Sequence, residues 1–119
     1  MPSTPSDREY AALLDIRQNV ERAISLASEP PGASVDEDWP KLYAAIRCLE
    51  IISEATRRLT PDLRDRRTDQ PWRVIMDSGN VYRHGYEKIQ PDEIWRTIKD
   101  SLPFLAAVID EEIKRIEAP

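Results

Sequence analysis

His84 is the only histidine in the chain. It is also the one side chain whose ordinary pKa lies near neutrality, so proton transfer at physiological pH would fall to it first. On a helix, Arg73, Asp77, Asn80 and His84 follow one another every three or four residues and share a stripe, with Asn80 one turn behind the imidazole to orient it. Beside them run Val74, Ser78 and Val81, small and mostly apolar, a pattern suited to close packing on another helix. A histidine beside such a contact can equally be structural. Glu50 and Glu54, one turn apart, could do acid/base work or hold a cation; like charges on one face need cations nearby, so an ion-paired structural role is expected. Cys48 sits in the apolar run 46–52 and is expected in the core rather than as a nucleophile. Trp39, Trp72 and Trp95 could stack on bases, but their places at helix starts or on an apolar stripe make core anchoring the expected role.

These residues need helices to position them. Three glycines against ten prolines suggest long helices with hard stops. Residues 7–28 carry apolar side chains at helical spacing, with Ser6 as N-cap and Glu9 completing a capping box. Pro30 and Pro31 break this helix, and an acidic connector follows over 35–39. A second helix starts near Pro40 and runs to the stop at Thr60 and Pro61, and residues 61–66 allow one short turn. A third runs from Trp72 to His84 and is closed by Gly85. The last begins at Pro91 with Asp92 and Glu93 at the positive end of its dipole. Its stripe of Ile94, Ile98, Leu102, Leu105, Ile109, Ile113 and Ile116 is the strongest periodic signal in the chain, and Pro103 is expected to kink it near Lys99. No segment alternates with period two. The expectation is an all-α antiparallel bundle of four to five helices, with a flexible N-terminus over 1–6 and one domain over 7–119.

The chain has 119 residues and a formal charge of −5, which argues against nucleic-acid binding over the whole surface. The average conceals a segment: residues 57–89 hold eight basic groups against five acidic ones, a net +3, and arginine dominates there. The guanidinium fork suits phosphate; interleaved Arg and Asp can also simply pair with each other. One cysteine and one histidine cannot build a Cys/His zinc cage, and no metal or cofactor is expected. No apolar run approaches the roughly 18 residues of a membrane span. The first residues lack the basic and apolar regions of a signal peptide, so a cytoplasmic location is expected. There is no glycine-rich phosphate loop and no nucleotidyltransferase signature.

The sequence from Trp72 to Tyr86, WRVIMDSGNVYRHGY, follows a helix reading IRCLEIISEATRRL and precedes IWRTIKDSLPFL. These three motifs, in this order, resemble the HepT-like proteins of the HEPN superfamily over residues 7–116. The resemblance implies a dimerising helical bundle in which the motifs of two protomers face each other across a cleft. It further implies a metal-independent endoribonuclease acting on RNA as a toxin, controlled by an MNT-type nucleotidyltransferase antitoxin. Asn80, His84 and Tyr86 match the family motif, and Tyr86 matches a tyrosine to which such antitoxins can transfer AMP. Glu54 falls in a signature where a carboxylate pairs with a motif arginine or histidine. The motif arginine expected just before Asn80 is Gly79 here. Arg83 lies about 100° round the helix from His84, and Arg73 about 16 Å back along it. With His84 as acid or base, Arg83 or Arg73 would stabilise the phosphate and Asn80 and Tyr86 would orient it. The alternative is a non-catalytic helical dimer that has lost its arginine and only binds the nucleotidyltransferase. Tyr86 has a structural alternative as well, since a phenol after Gly85 can cap the packing of the chain reversal.

Overall fold

Proline and threonine set the helix ends where the backbone loses donors, and the architecture follows those stops. The computed structural model describes residues 5–28, 39–85 and 88–118. Helix α1 spans Pro5–Ser28, α2 Trp39–Arg57, α3 Pro61–Arg66, α4 Trp72–His84 and α5 Pro91–Arg96. A π turn over Thr97–Ser101 joins α5 to α6, Leu102–Glu117. Among the described residues there is no strand, and the fold is the expected all-α bundle. The proline break and most of the acidic connector, together with Tyr86, lie outside the described residues.

Helix α1 packs against α2 and α6, and α4 packs against α2. The core is the meeting of their apolar stripes: Leu13, Ile16 and Val20 from α1, Ile46, Leu49 and Ile52 from α2, and Ile94, Ile98, Leu102, Leu105, Ile109 and Ile113 from the last helix, all buried. Burying each such side chain contributes about 1.5–3 kcal/mol of transfer free energy. Trp72 and Cys48 are buried as expected, and burial pushes the Cys48 thiol pKa up. Trp39 is not an anchor: it is 59% exposed and meets the ring of Tyr43 edge-on at 5.4 Å between centroids. It opens α2, where no helix among the described residues covers it.

Local chemistry shifts three expected details. Helix α1 begins at Pro5, which places Ser6 inside the first turn. Glu9 serves the α2–α3 corner instead of a capping box, because its Oε1 accepts from the backbone N–H and the hydroxyl of Thr60, at 2.8 and 2.6 Å. Thr60 in turn caps α3 by accepting from the Leu63 N–H. Pro103 disturbs the last helix as a π turn: the Leu102 N–H reaches back five residues to the Thr97 carbonyl. The wider turn absorbs the ladder bond that a proline without N–H cannot make.

The loop leading into α4 is fixed by Arg67, which pairs with Asp69 at 2.9 Å and with Glu111 of α6 at 2.7 Å, while its carbonyl accepts the Trp72 indole N–H. The hydrogen bond from Arg67 holds the Asp69 carboxyl below the usual carboxylate range. A carboxyl with a lowered folded pKa adds stability above the ordinary value of about 4 and loses it as pH falls through the folded value. Asp69→Asn is therefore expected to flatten the acid limb of the stability profile. Thermal melting between neutral and acid pH checks this.

Candidate active site

Helix α4 presents three faces, set by its 3.6-residue period. Trp72, Met76, Gly79 and Arg83 turn toward α2; Arg73, Asp77, Asn80 and His84 face solvent; Val74, Ser78 and Val81 lie beyond them. The contact with α2 is closest at Gly79. Its buried N–H donates to Ser53 Oγ at 3.1 Å, and the same hydroxyl donates to the Met76 carbonyl at 2.9 Å. A Cβ at position 79 would stand 2.5 Å from Ser53 Oγ and 3.0 Å from Ser53 Cβ, so a side chain there requires the serine hydroxyl to turn away from both of its hydrogen bonds and the contact to give by a few tenths of an ångström. Gly79→Ala is expected to destabilise the fold by about 1–3 kcal/mol through overpacking, against the roughly 1 kcal/mol that alanine gains over glycine in a helix. Urea denaturation would register it as a lower midpoint.

The space above Gly79 is taken by an arginine from the next turn. Arg83 folds back so that its Nη2 lies 3.8 Å from the place a Cβ at 79 would occupy. Nη2 donates to Asn80 Oδ1 at 3.0 Å, and Nη1 pairs with Glu54 Oε2 of α2 at 3.6 Å. The guanidinium is thus fixed on two sides and still 39% exposed. His84 is the next residue, exposed at the helix end, and makes no hydrogen bond or ion pair with the described residues. The amide of Asn80 therefore positions Arg83 rather than the imidazole.

Of the residues singled out from sequence, the structure gathers Arg83, Asn80 and Glu54 around the Gly79 contact with His84 adjacent. Arg73 is not among them: it pairs with Asp77 at 3.7 Å and is almost fully exposed at the other end of α4. Glu50 pairs with Arg47 of its own helix. Ser53 was not singled out, though a small polar residue at helical spacing from Ala45, Leu49 and Thr56 on the buried side of α2 was a usable signal. Among the described residues no three His, Cys, Asp and Glu side chains converge as a metal-binding group.

Among the described residues no helix covers the apolar stripe of α4. Val74 is 66% and Val81 54% exposed, and Phe104 of α6, across the hollow beside α4, is 70% exposed. That hollow has a volume of about 410 Å³ and is lined by Leu49, Ile52, Val74, Ser78, Tyr82, Phe104 and Leu105 among others. Burial on its wall pushes the Tyr82 phenol pKa up. The His84 stripe thus runs alongside an uncovered apolar surface.

An all-α bundle with a histidine and a back-folded arginine at one helix end defines the class, and comparison with known proteins gives it a family. The family described as ribonuclease HepT-like matches residues 16–112, and the chain belongs to it. A Thermococcus cleftensis protein named as a probable ribonuclease HepT is 28% identical over 95 residues, 76% of this chain and 86% of the relative. A Methanocaldococcus jannaschii protein named as a candidate RNase is 36% identical over 61 residues, 51% of this chain and 56% of the relative. A second from that organism, named likewise, is 29% identical over 113 residues, 95% of this chain and 93% of the relative. Two further relatives from the same organism are covered to 62% and 65% of their length. No solved structure matches the chain significantly. Among the described residues no helix is long and apolar enough to cross a membrane.

Proposed function

We propose that this protein is an endoribonuclease that cleaves RNA without a metal, at a cleft formed between two copies of the chain. The observation that carries the reading is the exposed imidazole of His84 beside a guanidinium held by Asn80 and Glu54. A base removes the proton of an RNA 2′-hydroxyl, and the oxygen attacks the neighbouring phosphorus. The bond to the 5′-oxygen breaks, and an acid returns a proton to that leaving group, giving a 2′,3′-cyclic phosphate and a 5′-hydroxyl. The histidines of two protomers divide these roles. Arg83, fixed before substrate arrives, stabilises the charge that builds on the phosphorane oxygens. Asn80 and Glu54 act through Arg83 as positioning residues. Tyr86 orients the phosphate, and in the cytoplasm an MNT-type nucleotidyltransferase antitoxin silences the enzyme by joining its phenol oxygen to the α-phosphorus of ATP, the phenol losing its proton and pyrophosphate leaving.

The test is incubation of the purified protein with total RNA beside a His84→Ala control. Loss of cleavage in the control supports the reading, and equal cleavage by both proteins overturns it. Absence of cleavage by either returns the alternative of a non-catalytic dimer that only binds the nucleotidyltransferase, an alternative that rests on glycine at 79. Pairing of copies is supported by the exposed Val74, Val81 and Phe104, apolar area beside the His84 stripe that the protomer leaves uncovered. Val81→Glu would set like charges opposite each other across a two-fold axis. It is expected to give a monomer at micromolar concentration and to lower cleavage accordingly, as analytical ultracentrifugation and the RNA assay would read.

A further inference from the structure

Two arginines near the site have no carboxylate partner among the described residues. Arg57, near the end of α2, donates through Nη2 to the Met76 carbonyl at 2.7 Å, and Arg64 of α3 directs Nη1 to the Met76 sulfur at 3.0 Å. A carbonyl and a thioether solvate a guanidinium without neutralising it. Neither arginine has an ion pair among the described residues, in a chain with 22 acidic groups to 17 basic ones. Glu54 pairs with Arg83 and Asp77 with Arg73, while Asp62 and Asp65 of α3 face a different hollow, beside Glu9 and Thr60. The Nε of Arg64 is buried and has no hydrogen-bond partner among the described residues, so only the Nη end of this guanidinium is left to meet an incoming phosphate. Arg57 is exposed and keeps the approach open.

We propose that Arg57 and Arg64, brought together at Met76, form a second phosphate subsite that binds the backbone of an RNA strand flanking the phosphate at Arg83. The inference rests on the endoribonuclease reading and names where its substrate lies. Two guanidinium forks at one point can hold a single phosphate by several charge-assisted hydrogen bonds. Met76 and Arg83 are seven residues apart on α4, about 10 Å along its axis. A strand running along the seam between α2 and α4 meets both. Contacts to phosphate carry no sequence information, so this subsite holds RNA irrespective of sequence.

The experiment uses the full chain bearing His84→Ala, which holds RNA without cutting it, and a short labelled single-stranded RNA whose affinity is measured over a series of salt concentrations. Each phosphate neutralised on a single strand adds about 0.7 to the slope of log affinity against log salt. Adding Arg57→Gln and Arg64→Gln is expected to lower the slope by about that amount, and the Lys pair to keep it. Arg57→Gln alone, at the exposed position, is expected to lower it in part should the double variant fail to fold. A slope unchanged in Arg57→Gln and in the folded double variant overturns the subsite and assigns both arginines to holding α2 and α3 on α4, a role that melting temperature alone would report. No RNA binding by the His84→Ala protein at any salt also overturns it. Neither result touches the nuclease reading, which stands or falls separately on His84-dependent cleavage by the otherwise unaltered chain.

Discussion

Replacing His84 by alanine is expected to lower RNA cleavage by about 10²–10⁴-fold, the range that a positioned acid or base supplies. The imidazole stands exposed at the end of α4 and makes no side-chain hydrogen bond or ion pair among the described residues, so melting temperature and helicity should stay within experimental error. This separation of activity from stability is what makes the variant informative. Were the histidine structural, the loss would instead appear in the melt. The two-protomer arrangement adds a sharper outcome. If one histidine serves as base and the partner copy's as acid, mixing wild-type and His84→Ala chains gives heterodimers with one imidazole. Activity then falls faster than the fraction of wild-type chains. A strictly linear fall would mean that each protomer works alone, and would sink the shared cleft.

The helices were legible because their causes are local. Pro61 and Pro91 sit at first-turn positions, and the apolar stripe from Ile94 to Ile113 faces the core at its expected spacing. What could not be read depends on side chains distant in sequence. Glu9 finds Thr60 across 51 residues, in preference to its own helix start. The π turn before Pro103 was legible as a disturbance but not in its form, since a wide turn and a kink both compensate for a missing N–H. Trp39 shows the limit of composition: a large aromatic at a helix start is buried only if another element passes over it. At the site, glycine in place of the expected arginine looked like a loss. Its packing reason is Ser53, and neither that contact nor the reach of Arg83 follows from angular position alone, because a guanidinium extends far beyond its own Cα.

Arg83→Ala is accordingly expected to cost cleavage about 10²–10³-fold, the effect of removing one preorganised charge-stabilising donor, while Arg73→Ala leaves the rate within about twofold because its guanidinium belongs to the exposed pair with Asp77. The contrast separates the two arginines that sequence alone left equivalent. Arg83→Lys keeps the charge but loses the fork that grips Asn80 while a second edge stays open for phosphate. Its rate should fall between those of wild type and the alanine variant. Asn80→Ala and Glu54→Gln free the same guanidinium without removing it, so kcat should drop more than RNA affinity. An Arg83→Ala protein that cleaves at the wild-type rate would show that charge stabilisation comes from elsewhere. Repair by Gly79→Arg carries its own cost in that event, because an arginine at 79 must first displace the Ser53 hydroxyl from its two hydrogen bonds to α4.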